Sequence, residues 1–119
     1  MSKSKCLPFF ITIFMVLSVS TSAEEISREE ALGLMQECQQ QREENIAPLR
    51  EDAIQDCVAK GRGDREYCER YNRSFGGATA RASGGTIPGM FWDLPVCERA
   101  VAAEKYFKMN PSKKTYQLK

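Results

Sequence analysis

Four cysteines constrain the fold of this chain more than any other feature of its sequence. Cys38, Cys57, Cys68 and Cys97 follow an apolar N-terminal segment, and the 119-residue chain contains no histidine. An even number of cysteines behind an export signal predicts disulfides, in this case two. A domain of this length has a thin hydrophobic core, and cross-links compensate for the small apolar burial. The sequence therefore predicts one small domain with two disulfides.

The N-terminus has the three parts of a secretory signal peptide. Lys3 and Lys5 precede an apolar run over residues 6–19, and small residues lead to Ala23. This layout predicts a signal peptide over residues 1–23, with cleavage after Ala23, and a periplasmic or secreted protein. The alternative is a retained membrane anchor, although the apolar run is shorter than the roughly 20 residues that span a bilayer as a helix.

A long helix is predicted at the start of the exported domain. Ser27 and Glu30 have the spacing of a capping box, and apolar residues then recur at helical spacing up to a stop at Gly61. Only Arg42 interrupts this apolar phase with a polar side chain. Pro48 leaves two alternatives: one kinked helix, which the continuous apolar phase favours, or a turn between two helices.

Two further helices follow. Asp64 is a good N-cap for a second helix, which is predicted to end at Gly76, and the pattern over residues 94–109 predicts a third. The tripeptide Arg62-Gly63-Asp64 matches an adhesion signal, but we interpret it as the turn before the second helix.

The predicted fold class is all-α: a small disulfide-stapled domain of three to four helices over residues 24–109. Residues 76–93 are predicted to form a long flexible loop, which is Gly-rich at its start and aromatic at its end. Residues 110–119 are predicted to form a basic tail, which is frayed over residues 112–119. We found no strand-like alternation of useful length.

The four cysteines allow three pairings. Cys57 and Cys68 are equidistant from the turn before the second helix, which favours a Cys57–Cys68 disulfide together with Cys38–Cys97. If the chain instead turns at its proline near the middle of the first helix, Cys38–Cys57 and Cys68–Cys97 become the favoured pairs. The lack of a C-x-x-C spacing and of histidine argues against a redox or zinc site.

Apolar side chains cluster in residues 87–94. Met90, Phe91 and Trp92 are consecutive there, and aromatic residues and methionine are enriched among binding anchors. We therefore predict that these three residues bind a partner, which is expected to be another protein of the cell envelope. The alternative is a lid in which Trp92 packs against the aromatic stripe of the second helix.

Charge is distributed unevenly along the chain. Residues 24–56 carry ten acidic and three basic side chains, a net charge of −7, whereas residues 99–119 carry six basic and one acidic, a net charge of +5. Attraction within the molecule or solvated helix faces would account for this difference. The alternative function is surface association, in which the basic C-terminal end makes weak contact with anionic lipid or polymer.

The sequence contains no motif for cofactor binding, nucleic-acid binding or nucleophilic catalysis. Without histidine, Ser-His and Cys-His arrangements are excluded, and the Gly-rich segment lacks the lysine of a phosphate-binding loop. A hydrolase that uses only carboxylates is a distant alternative. We therefore expect a small non-enzymatic binding protein with no cofactor, no metal and no nucleic-acid partner.

Overall fold

A computed structural model describes residues 23–119, so the predicted signal peptide lies outside the described residues except for Ala23. In chain order the elements are β1 (Glu25–Ser27), α1 (Arg28–Ala59), α2 (Arg65–Tyr71), β2 (Thr79–Ala80), β3 (Thr86–Ile87), α3 (Pro95–Met109) and β4 (Thr115–Gln117). The domain is mostly helical. None of the helices in this part of the chain is both long and apolar enough to cross a membrane.

α1 is one continuous helix of 32 residues. At its start the Glu30 N–H donates to Ser27 Oγ at 3.2 Å, and the Ser27 N–H donates to the Glu30 carboxylate at 2.6 Å, which confirms the capping box. Pro48 lies inside the helix without ending it, so the alternative with two separate helices is wrong. The helix ends at Ala59, and the N–H of Gly61 donates back to its last turn.

α3 packs along the N-terminal half of α1. The Cys38–Cys97 disulfide joins the two helices, and Ala100 and Ala103 are fully buried beside it. Small side chains at these positions let the helix backbones approach closely. The buried residues of α3 recur at three- and four-residue spacing, as on one face of an amphipathic helix, and they are Val96, Cys97, Ala100, Ala103 and Phe107.

α2 covers the C-terminal end of α1. The Asp64 carboxylate accepts the Tyr67 N–H at 2.8 Å, which confirms the predicted N-cap. The Cys57–Cys68 disulfide joins α2 to α1, so the two disulfides match the favoured pairing. α2 ends at Tyr71, earlier than predicted, because the chain continues in turns.

The C-terminal segment belongs to the core. β4 pairs with β1 in an antiparallel ladder that places Tyr116 opposite Ile26. The ring of Tyr116 stacks on Tyr106 at 4.4 Å between centroids, and Leu118 is buried in the same apolar cluster as Ile26. The prediction of a frayed tail over residues 112–119 is therefore wrong, because Tyr116 and Leu118 gain apolar burial when this segment is ordered.

Arg28 attaches the start of α1 to the chain that follows α3. Its guanidinium donates to the backbone carbonyl oxygens of Asn110, Pro111 and Lys113 at 2.6–3.0 Å. The guanidinium carbon also lies 4.7 Å from the centroid of the Phe107 ring. A cation is favoured at this position because the C-terminal end of a helix carries a partial negative charge.

Residues 76–93 do not form one flexible loop. β2 and β3 pair as an antiparallel hairpin with Thr79 opposite Ile87, and the Arg81 N–H donates to the Gly85 carbonyl at 3.1 Å. Every hairpin side chain is exposed, so the alternation of apolar and polar residues that usually reveals a strand is missing. The all-α prediction is corrected to a mostly helical domain with four short strands.

The buried C-terminus predicts that Leu118→Ala destabilises the domain. Truncating a buried leucine costs about 2–5 kcal/mol, and Leu118 is 7% exposed. Leu32→Ala is the matched control, since Leu32 is 67% exposed and little burial is lost there. Equilibrium urea unfolding measures both values. Equal, small effects of the two substitutions would contradict the packing of Leu118.

The capping box predicts a pH-dependent contribution from Glu30. Hydrogen bonds from the backbone and side chain of Ser27 lower the pKa of Glu30 below its ordinary value of 4.5. A lowered folded-state pKa stabilises the fold above the unfolded-state value, and this contribution is lost as the pH falls through the folded-state pKa.

We therefore expect Glu30→Gln to be less stable than the native chain at neutral pH and equally stable well below pH 4.5. Urea unfolding at both pH values measures the difference. Glu29→Gln is the control, because it removes a charge from the same helix turn without touching the capping box. A stability difference for Glu30→Gln that is independent of pH would show that the carboxylate charge is not responsible.

Candidate functional site

Arg42 is the only buried charged side chain in the described part of the chain, with 8% of its surface exposed. Its Nε donates to the Met90 carbonyl at 2.8 Å, and its Nη1 donates to the Gln39 side-chain oxygen at 2.8 Å. Its guanidinium carbon lies 4.0 Å from the centroid of the Trp92 ring, within cation–π distance. One side chain of α1 therefore holds both the backbone and the indole of the aromatic segment.

Two glycines allow the chain to come this close to α1. Gly76 has φ +83°, and a Cβ there would lie 2.7 Å from the side chain of Ile46. A Cβ on Gly89 would lie 2.7 Å from Arg42 Nη2 and 2.9 Å from the Gly76 carbonyl oxygen. The Met90 N–H donates to that same carbonyl at 2.9 Å. The two turns therefore pack on each other and on α1 at positions where larger side chains would clash.

Phe91 is the one non-glycine residue with positive φ, at 61°, in the described part of the chain. This left-handed conformation costs roughly 1–2 kcal/mol for a residue with a bulky side chain. The hydrogen bonds of Met90 on one side and the packing of Trp92 on the other fix the chain around it. The aromatic segment is therefore held in one conformation by its surroundings.

Trp92 also forms one wall of an open, mostly apolar groove on the outer side of α3. The groove is lined by Val101 and Ala102, with Glu98 and Lys105 as its charged members. The other side of Trp92 packs against the core around the Cys38–Cys97 disulfide. The indole is thus half-buried: it is fixed against the core and still contributes to an accessible surface.

The three residues predicted to bind a partner have different environments. Met90 is 38% exposed, and Phe91 and Trp92 are half-buried. Of the three, only Trp92 lines the groove. Trp92 lies against Arg42 and the α1–α3 core, so the specific lid packing expected against the aromatic stripe of α2 is wrong.

Sequence reasoning missed Arg42 and the groove residues of α3. Arg42 was the one polar residue in the apolar phase of α1, and this position was the signal that its side chain would be buried. Val101 and Lys105 carried no comparable signal, because an exposed helix face commonly mixes valine, alanine and lysine. Only the tertiary fold brings these two side chains close to Trp92.

The carboxylates with shifted pKa values are acceptors in hydrogen bonds. A side-chain hydrogen bond from Arg50 lowers the pKa of Glu43, and one from Arg65 lowers the pKa of Glu51. Both carboxylates are therefore ionised at neutral pH. Among residues 23–119, no group of three or more candidate metal ligands comes together.

Comparisons with protein-family models, with curated proteins and with solved structures returned no match.

The role of Arg42 predicts that Arg42→Lys loosens the aromatic segment. A lysine ammonium lacks the flat fork that donates to two acceptors while it covers the Trp92 ring. We expect a loss of about 1–3 kcal/mol in unfolding free energy and a red shift of tryptophan emission as water reaches the indole. Because Trp92 is the only tryptophan, the emission reports on this site alone.

Arg81→Lys is the control for this substitution, because Arg81 is an exposed arginine in the hairpin turn. Urea unfolding and steady-state fluorescence check both variants. Native-like emission and stability in Arg42→Lys would show that Arg42 does not hold the segment.

Proposed function

We propose that this protein is a small, exported, non-enzymatic binding protein of the cell envelope, which holds an apolar segment of a partner protein in the groove beside Trp92. The observation that carries the proposal is the half-buried indole, which Arg42 fixes at 4.0 Å while it lines an apolar groove. Tryptophan is enriched among residues that dominate binding energy, especially where it lies in a packed pocket.

The fixed conformation of the segment supports this proposal. Ordering a flexible loop during binding costs free energy, and a segment that is already held in place avoids much of that cost. The hydrogen bond from Arg42 to Met90 and the close packing at Gly89 restrain the segment before any partner arrives. Met90 is exposed in the same turn and extends the apolar surface along the chain.

The chemistry of the groove indicates the kind of segment that would fit. Val101, Ala102 and Trp92 offer an apolar floor, and Glu98 and Lys105 provide one charge of each sign at its edge. An apolar side chain of the partner would bury against the floor, while flanking polar groups would remain solvated at the rim, as in the usual anatomy of a protein interface.

Export is part of the proposal, and two features support it. Both disulfides join helices, and such cross-links persist in oxidising compartments such as the periplasm or the extracellular space. The N-terminal signal pattern gives the same location. A periplasmic or secreted protein with one fixed aromatic groove is suited to contact with another envelope protein.

A second candidate function uses the basic C-terminal end on anionic lipid or polymer. Lys113, Lys114 and Lys119 are exposed, and the β1–β4 ladder holds this segment on the body of the domain. Their charges would therefore act from a fixed surface. Attachment of this kind weakens as ionic strength rises, because the Debye length falls from about 10 Å at 0.1 M salt to about 3 Å at 1 M.

The test of the groove compares Val101→Glu with Val58→Glu. The two valines are 42% and 41% exposed, so both substitutions place a carboxylate on a helix surface, but only Val101 lines the groove. The exported chain, residues 24–119, is used as bait in an envelope extract of its own organism at low and at 1 M salt. Circular dichroism first establishes that both variants fold.

We expect a partner that is captured by the native chain and by Val58→Glu at both salt concentrations, and that Val101→Glu loses. A photo-crosslinking residue at position 102 should then form an adduct with the same partner. Equal capture by both variants would contradict the groove proposal. Attachment that disappears in 1 M salt for every variant would instead favour the basic surface.

A further inference from the structure

We propose that Arg42, Arg50 and Arg73 form a binding site for a phosphate group, which is separate from the Trp92 groove. The three arginines line one shallow pocket of about 200 Å³ between the middle of α1 and the turn after α2. The rest of its lining is uncharged and consists of Ile46, Ser74, Phe75, Gly76 and Gly77, apart from one carboxylate. Glu43 is the one acidic residue in the lining, so the pocket carries an excess of two positive charges.

Arg42 supplies a positive charge that pairs directly with no carboxylate, although this charge helps to lower the pKa of nearby Glu43. Its hydrogen-bond and cation–π partners are a backbone carbonyl, a glutamine amide and an indole ring, all of them neutral. No carboxylate of residues 23–119 forms an ion pair with it. Buried charges are normally paired, because removing them from water is costly. A nine-tenths buried arginine that forms no direct ion pair and lies at the edge of a pocket is suited to an anionic ligand.

Arg50 has spare hydrogen-bonding capacity at the same place. Its two terminal nitrogens donate to the Glu43 carboxylate at 2.6 and 3.1 Å. Its Nε is buried and has no hydrogen-bond partner within the described part of the chain. A buried donor without an acceptor is costly, and a small shift of the side chain toward a bound anion would satisfy it. The Nε of Arg50 therefore lacks an acceptor among the described residues, and a bound anion would supply one.

Arg73 completes the site from the opposite wall. It is exposed and forms no ion pair with any carboxylate of residues 23–119. Its guanidinium is therefore available to a ligand. Arginine forks match phosphate oxygens with paired hydrogen bonds, and Ser74 lies in the same lining. The small volume fits a phosphate group and leaves the remainder of a larger ligand in solvent.

The phosphate group has two sources with the same chemistry: a soluble phosphate compound or the headgroup of an anionic phospholipid. In both cases the anion would approach Arg42, which covers the Trp92 ring at 4.0 Å. Binding should therefore alter the emission of the single tryptophan, although Trp92 itself does not line this pocket. The inference does not depend on a partner in the groove.

The test titrates the chain over residues 24–119 with inorganic phosphate at constant ionic strength, with sodium chloride as the reference. Calorimetry measures affinity, and tryptophan emission reports on the Arg42 environment. A second arm measures sedimentation with vesicles of phosphatidylglycerol and with vesicles of phosphatidylcholine alone. Three substitutions are compared: Arg73→Gln in the site, Arg81→Gln as an exposed arginine outside it, and Glu43→Gln, which removes the competing carboxylate.

We expect saturable binding that Arg73→Gln weakens about tenfold or more, that Arg81→Gln leaves unchanged, and that Glu43→Gln strengthens, because Arg50 is released. Binding of inorganic phosphate assigns the site to soluble phosphate compounds. Binding only to phosphatidylglycerol vesicles, with the same order among variants, assigns it to a lipid headgroup. Two results would overturn the proposal. The first is the absence of binding in both arms. The second is an equal loss of binding in Arg73→Gln and Arg81→Gln, which would indicate diffuse electrostatic attraction.

Discussion

The packing of α3 against the first half of α1, fixed by the Cys38–Cys97 disulfide, is the constraint on which the rest of the structure depends. α1 is 32 residues long, and a chain of this size cannot surround it. The apolar core is instead divided into small clusters along one side of the helix, and the cluster around Cys38 and Cys97 lies where α3 begins, at one end of the α1–α3 contact. The disulfide closes a long loop at this point and so restricts the unfolded chain.

The middle of α1 lies between the part that α3 covers and the part that α2 covers. Chain segments without regular secondary structure cover this middle part. Arg42 and Ile46 are buried there beneath the turns at Gly76 and Gly89. An apolar side chain at position 42 could not satisfy the Met90 carbonyl that turns toward the helix. Arginine does so and also covers the indole of Trp92. The same side chain therefore organises the aromatic groove and contributes charge to the pocket on its other side.

The uneven distribution of charge has a partly intramolecular explanation. The acidic and basic parts of the sequence meet where β1 pairs with β4, and Glu24 forms an ion pair with Arg99. Arg28 supplies a cation to the end of α3 from the acidic part of the chain. Exposed ion pairs contribute little to stability, so the Glu24–Arg99 pair adds little, whereas the three carbonyl hydrogen bonds of Arg28 attach the two ends to each other.

Local signals in the sequence predicted where the helices begin and favoured one of the disulfide pairings. The capping box, the Asp64 N-cap and the short turn between Cys57 and Cys68 act over a few residues, so the sequence alone locates them. Only the tertiary structure decided the strands, the burial of Leu118 and the contact of Arg42 with Trp92. Strands of two or three residues show no periodicity, and the β1–β4 ladder, the burial of Leu118 and the Arg42–Trp92 contact join segments that are distant in sequence. The energy of these long-range contacts appears only in the folded chain.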